Sequence, residues 1–244
     1  MITLKLGLRT FIVMKKYLLA FSVLSLIVAC TKTEQEPEQV RFYDEYFTDS
    51  VKYYIDYSCD SLVYNDFSGT VDTFTFDIRE YYESSFIDNA GRKAIRLERW
   101  KKTADTTWFL KDVWQVTKTK LQVEKTEEDV RFFKLKFPLG DNYVWNMNLF
   151  NSLPTLNIRY INMHASYNNG LLDFDSTITV RNTDPENLVS EFRTTEVYAI
   201  NKGLVFKNLV DVKLKTDNLS LPWQQRIRSG VIFTMRAKEF GFLP

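Results

Sequence analysis

From Val51 onward, apolar and polar side chains alternate along most of the chain. Phe74, Phe76 and Ile78 interleave with Thr75, Asp77 and Arg79, and Ile95 and Leu97 with Arg96 and Glu98. Phe133, Leu135 and Phe137 interleave with Phe132, Lys134 and Lys136, and Val210, Val212 and Leu214 with Asp211, Lys213 and Lys215. Near the end, Val231, Phe233, Met235 and Ala237 do the same with Ile232, Thr234, Arg236 and Lys238. A period of two sends successive side chains to opposite faces, so these runs predict antiparallel strands with one buried and one mostly polar face. Asp66-Phe67-Ser68-Gly69, Asp88-Asn89-Ala90-Gly91, Gly140-Asp141-Asn142, Asn168-Asn169-Gly170 and Asn201-Lys202-Gly203 supply the turn residues that tolerate positive φ. Helical patterning is nearly absent. Pro222 to Ser229, between Ser220 and Gly230, fits a short helix or an irregular connection.

Strands of about five or six residues give roughly ten of them in one curved, mostly antiparallel sheet. The fold class is therefore all-β, as a single domain over 49–244. Such a sheet must close, fold over itself or hide a face, which leaves a barrel, an open half-barrel or a sandwich. Nineteen phenylalanines and thirteen tyrosines suit pleated surfaces and support the same assignment.

The N-terminus has a different pattern. Lys15 and Lys16 precede Tyr17 to Ala29, an apolar run of 13 residues without a charge. That length suits a signal-peptide core and falls short of the roughly 20 residues a membrane span needs. Ile27-Val28-Ala29-Cys30 follows, and then Thr31 to Gln39 without one apolar side chain. This junction resembles the lipobox of bacterial lipoproteins, with Ile27 where leucine is commoner. The resemblance implies cleavage before Cys30, acylation of its sulfur by chains such as palmitate, and usually acylation of the new amino group. The expected organisation is a leader over 1–29, with Met14 as the economical start, and a lipidated Cys30 with a solvated tether over 30–48. One fatty chain holds a protein only marginally, whereas two or three anchor it durably.

Charge and cysteine content change the picture little. The whole chain has 32 basic and 31 acidic residues; Lys5, Arg9, Lys15 and Lys16 leave with the leader, so the mature net charge is −3. No broad nucleic-acid footprint is expected from that balance. With Cys30 lipidated, Cys59 has no partner in the chain and reads as a small buried filler. A hydrophobic core, not a disulfide framework, must carry the fold.

Candidate chemistry is sparse. His164 is the single histidine, and one histidine with one thiol cannot build a zinc site; it reads as a strand-end or surface residue. Asp173 and Asp175 would share a strand face but lack the further oxygens calcium requires. Asp77, Glu80 and Glu98 read as cross-strand partners of Arg79, Arg96 and Arg99 rather than as an acid–base pair. Trp100, Trp108, Trp114, Trp145 and Trp223 read as core filling before groove lining. No cofactor or metal site is expected, and no nucleophile or phosphate-loop motif occurs. Asp49-Ser50-Val51, Asp60-Ser61-Leu62, Asp105-Thr106-Thr107 and Asp175-Ser176-Thr177 are similar to the O-glycosylation acceptor of Bacteroidota.

Glu196 to Lys207 and Ser229 to Met235 resemble the closing hairpins of uncharacterised Bacteroidota outer-membrane lipoproteins, and Asp60 to Thr70 and Arg96-Leu97-Glu98-Arg99 are similar to the same group. That resemblance implies an outer-membrane location, on the periplasmic face or the cell surface. Glu34, Glu36 and Glu38 match a surface-export signal only loosely. The expected function is a non-catalytic, lipid-anchored domain that binds an unknown ligand or envelope protein. The alternatives are a hydrophobic-cavity carrier or chaperone, recognisable by an apolar pocket of several hundred Å3, and a carboxylate-based hydrolase with two converging acids.

Overall fold

The structure, a computed structural model, describes residues 40–103, 107–183 and 187–244. The leader and Cys30 lie outside the described residues. Arg41–Pro244 form one unit, built of twelve strands: β1 (Tyr53–Tyr64), β2 (Val71–Ile87), β3 (Lys93–Lys102), β4 (Phe109–Lys118), β5 (Gln122–Glu127), β6 (Val130–Lys136), β7 (Val144–Asn146), β8 (Asn157–Asn168), β9 (Asp173–Asn182), β10 (Ser190–Ala199), β11 (Gly203–Leu214) and β12 (Ile227–Phe242). All ladders are antiparallel, in the order β6-β5-β4-β3-β2-β1-β12-β11-β10-β9-β8-β7. The expected all-β class is correct, and the sheet curls until it is nearly closed into a barrel; it is not a sandwich.

The chain forms two six-strand meanders, joined where β1 pairs with β12 from Tyr53↔Phe242 to Tyr64↔Gly230. Gly230 sits at φ 123°, and a Cβ there would lie 2.2 Å from the Asp211 carbonyl oxygen, so the close approach of β11 requires glycine. The two edges, β6 and β7, meet through a mixed seam. The Phe133 amide donates to the Met147 carbonyl (2.8 Å), and Trp145 Nε1 donates to the Phe133 carbonyl (3.0 Å). Asn151 Nδ2 donates to the Arg131 carbonyl (2.8 Å), and the Tyr160 hydroxyl binds both the amide (3.0 Å) and the carbonyl (2.7 Å) of Lys136. Side chains thus satisfy an edge that would otherwise offer unpaired backbone groups.

One end of the barrel is filled by the segment before β1, which the sequence reading gave to the tether. A 3-10 turn over Asp44–Tyr46 places Tyr46 and Phe47 in the core beside Tyr53, Tyr82 and Tyr198. Lys118 fastens it by donating to the Phe47 carbonyl (2.9 Å) and pairing with Asp44 (3.2 Å). The packed domain therefore begins near Arg41, not at 49. On the outer face, Val210, Val212 and Leu214 are covered by Trp223, Ile227 and Ile232. The connection over Pro222 to Ser229 is a 3-10 turn at Trp223–Gln225 followed directly by β12.

Candidate functional site

The barrel interior is only partly apolar. Lys125 on β5 pairs with Glu80 on β2 (2.9 Å), and Glu80 also faces Arg99 on β3 (3.5 Å). Lys134 on β6 bonds Glu127 on β5 and Glu196 on β10, each at 3.0 Å, and Lys207 on β11 lies 3.4 Å from Glu196 and 3.9 Å from Glu127. The Tyr198 hydroxyl donates to Glu196 (2.5 Å), and the Arg99 guanidinium stacks 3.9 Å from the Trp114 ring centroid. Burial alone would push the Glu196 carboxyl up, but Lys134 and Lys207 hold it down at about 2. These pairs tie β5 and β6, beside the open seam, across the interior to β10 and β11. They surround a cavity of about 30 Å3, room for roughly one water. Among the described residues, this polar-lined cavity is far smaller than the apolar pocket of several hundred Å3 expected of a carrier.

Lys134 enters this network through a bulge. Val123 pairs with Leu135 and Glu124 with Phe133, so Lys134 is the extra residue and the alternation resets there. Lys134 turns inward at 3% exposure, while Phe133 packs with Trp145 and Phe150 on the other side. The expectation of a solvated face for Lys134 is thus corrected.

A second concavity lies on the outer surface. The β2–β3 turn, the β5–β6 hairpin and the 150–153 stretch after β7 enclose a groove of about 620 Å3, with Gln115 of β4 beneath. Its walls are fixed by hydrogen bonds. Asp88 accepts from the Ala90 and Arg92 amides and from Arg92 Nε (3.0 Å), and Arg92 reaches on to Glu124 (2.7 Å). Asn151 bonds the Arg131 carbonyl and takes the Leu153 amide (2.9 Å). The β5–β6 turn runs through Glu128 (φ 48°) and Asp129 (φ 63°), two non-glycine residues in the left-handed region, of which Asp129 lines the groove. Each such residue costs on the order of 1 kcal/mol, a strain that recurs at functional sites.

What faces the groove is mixed. Arg131 is half exposed and lies 3.7 Å from Glu124, and its guanidinium sits 5.9 Å from the Phe150 ring. Phe150 backs onto Phe133 (5.7 Å) and leaves 36% of its surface open, beside Leu153 at 48%. Among the described residues, the side chains of Asn89, Thr126, Asp129 and Ser152 engage no protein partner, so they remain available to a ligand. Alternation along the strands gave no sign of this site. Its one sequence signal was the irregular stretch after β7, where Leu149, Phe150 and Leu153 sit among Asn148, Asn151 and Ser152 without a period.

The residues singled out from sequence are dispersed. Glu80 is interior, whereas Asp77 pairs outside with Lys238 (2.7 Å) and Glu98 bonds Arg96 and Trp100. Arg79 takes Asp56 in a bidentate pair (2.6 and 2.8 Å), and Glu80 directly opposes Arg99. The cross-strand reading holds for Glu80 with Arg99; Asp77 and Arg79 have other partners, and Arg96 bonds Glu98 along its own strand. His164 is exposed but lies inside β8, at a bulge with φ 55°, and its Nδ1 is 2.7 Å from the Tyr46 hydroxyl. It props the segment before β1. Asp173 and Asp175 are exposed, the former accepting from Asn168 (2.7 Å). Cys59 is fully buried. Trp145 is core, Trp114 lines the interior cavity, Trp223 covers the outer cluster, and none of the five borders the groove. Of the glycosylation candidates, Ser50 is exposed, Ser61 is half-buried in β1, Ser176 bonds Tyr46 (2.6 Å), and Thr106 lies outside the described residues.

No family model and no curated protein matches this chain. Among solved structures, it is similar to a crystal structure described as a "putative lipoprotein" from Parabacteroides distasonis, with a TM-score of 0.43, 9% identity, and coverage of 80% of this chain and 98% of that one.

Proposed function

We propose that this chain is a bacterial envelope lipoprotein, held at the outer membrane by acyl chains on Cys30, whose β-barrel binds its ligand without transforming it. The observation that carries the reading is the junction of Lys15-Lys16, the apolar run Tyr17 to Ala29, and Ala29-Cys30 followed by a wholly polar stretch. Among the described residues, no helix is long and apolar enough to cross a membrane; the attachment in this reading is the acyl anchor on Cys30. Binding without chemistry is supported by the carboxylates. Glu80, Glu127 and Glu196 are locked to lysines around a cavity too small for a substrate, and of the two acids lining the outer groove Asp88 is engaged by Arg92 and two backbone amides, which leaves Asp129 without a free second acid. The barrel thus acts as a rigid frame and the groove as its recognition surface.

Metabolic labelling with an alkynyl fatty acid tests the anchor. The wild-type chain is expected to carry label and sediment with membranes, and Cys30→Ala to lose both. Recovery of unlabelled wild-type chain with its leader still attached would refute the reading.

A further inference from the structure

We infer that the groove between the β2–β3 turn, the β5–β6 hairpin and residues 150–153 takes a short, uncharged oligosaccharide. The inference deepens the binding role proposed above and stands on the groove's own chemistry. First, its volume of about 620 Å3 falls within the roughly 300–1,000 Å3 typical of small-ligand sites. Second, its charge is balanced against anions. Arg92 and Arg131 face Asp88, Glu124 and Asp129, and Arg92 is already committed to Asp88 and Glu124. Phosphates, nucleic acids and acidic glycans therefore meet no surplus positive charge.

Third, the groove is too polar for a hydrocarbon. Asn89, Thr126 and Ser152 would each lose water to a hydrocarbon without gaining a hydrogen-bond partner, which opposes its binding. Fourth, an extended peptide has no edge to pair with. On β6 beside the groove, the Arg131 carbonyl is bonded to Asn151 and both backbone groups of Phe133 are bonded across the seam. What fits is a neutral molecule rich in hydroxyls, each able to donate and accept, with an apolar C–H face. The open side of Phe150, with Leu153 next to it, receives that face. Asn89, Thr126, Ser152 and the half-free Arg131 take the hydroxyls. The walls are fixed beforehand by Asp88, Arg92 and Asn151, so little ordering opposes binding.

The test uses the mature chain, purified from whichever cell fraction holds it, so that a failed anchor and an empty groove give separate results. It is titrated with neutral oligosaccharides of three to six residues (α- and β-glucans, mannan, xylan and galactan), with polygalacturonate and heparin as anionic probes. At least one neutral glycan is expected to bind, with affinity little changed between 50 and 500 mM salt. Phe150→Ala should weaken it at least tenfold. Because Phe150 also packs on Phe133, the Asn89→Ala/Thr126→Ala variant, which alters one exposed and one half-buried side chain, serves as a second probe; it should weaken binding about fivefold with an unchanged melting temperature. Binding of the anionic probes alone, failure of every neutral glycan, or indifference of binding to both variants would overturn the inference.

Discussion

Replacing Lys134 by methionine is the sharpest probe of the barrel interior. The side chain keeps its length but loses an ammonium that lies 3.0 Å from Glu127 and 3.0 Å from Glu196. At an effective dielectric near 20, each contact is worth about 5 kcal/mol of Coulomb attraction, which the desolvation of the ammonium largely offsets. The two carboxylates that remain have lost their nearest counter-charge, and Lys207 at 3.4 and 3.9 Å replaces only part of it. Breaking a buried pair from one side costs about 3–5 kcal/mol, against a total stability of roughly 5–15 kcal/mol for a domain. Urea unfolding of the mature chain should show the midpoint falling by about 1–2.5 M, given a slope of about 2–3 kcal/mol per molar for a domain of this size.

The acid limb provides a second readout. In the wild type, Glu196 is held at about 2, below its usual 4.5. Its contribution is therefore complete above about pH 4.5 and disappears as pH falls toward 2. In Lys134→Met, burial is no longer outweighed and the carboxyl rises, so the loss on acidification should shrink or reverse and the variant should regain part of its deficit relative to wild type as pH falls. Adding Glu127→Gln and Glu196→Gln should recover more than half of the lost stability. A midpoint shift worth less than about 1 kcal/mol, with an unchanged acid limb, would refute the view that this network braces the barrel.

Two further outcomes follow from the geometry. Burial pushes the Cys59 thiol up to about 12, so the folded, lipidated chain should not react with a thiol reagent at pH 8 and should yield one thiol per chain in guanidinium; rapid native labelling would contradict the packing. Tyr160→Phe removes the hydroxyl that serves both backbone groups of Lys136. It should cost about 1–3 kcal/mol and speed hydrogen exchange at the Lys136 amide, and an unchanged exchange rate would show that the seam is held elsewhere.

The strands and their turns were legible because alternation and positive-φ residues are local signals. Asn201-Lys202-Gly203 marks its hairpin as the sequence suggests, with Asn201 at φ 59° and Gly203 at φ 86°. Closure was not legible, because the seam depends on Tyr160 reaching Lys136 and Trp145 reaching Phe133, contacts between residues without a shared period. The interior charges were hidden by the bulge at Lys134, which one-dimensional alternation places on the wrong face. Phe42-Tyr43-Asp44-Glu45-Tyr46-Phe47 mixes aromatics and acids without periodicity, so its burial became apparent only once the barrel end it fills was formed. The groove draws on three loops far apart in the chain, and only three-dimensional proximity makes them one surface. Cys30 was the reverse case, a strong local motif outside the described residues.

The pairing of β1 with β12 makes the last of the twelve described strands the keystone of the sheet. Until it arrives, β1 and β11 each present a long ladder of unsatisfied amides and carbonyls at what will become the middle of the wall. The contacts it completes span nearly the whole domain, the class of topology that folds slowly. A chain that stalls or is clipped before β12 would not lose a dispensable tail; it would expose two complementary sticky edges and invite pairing between molecules.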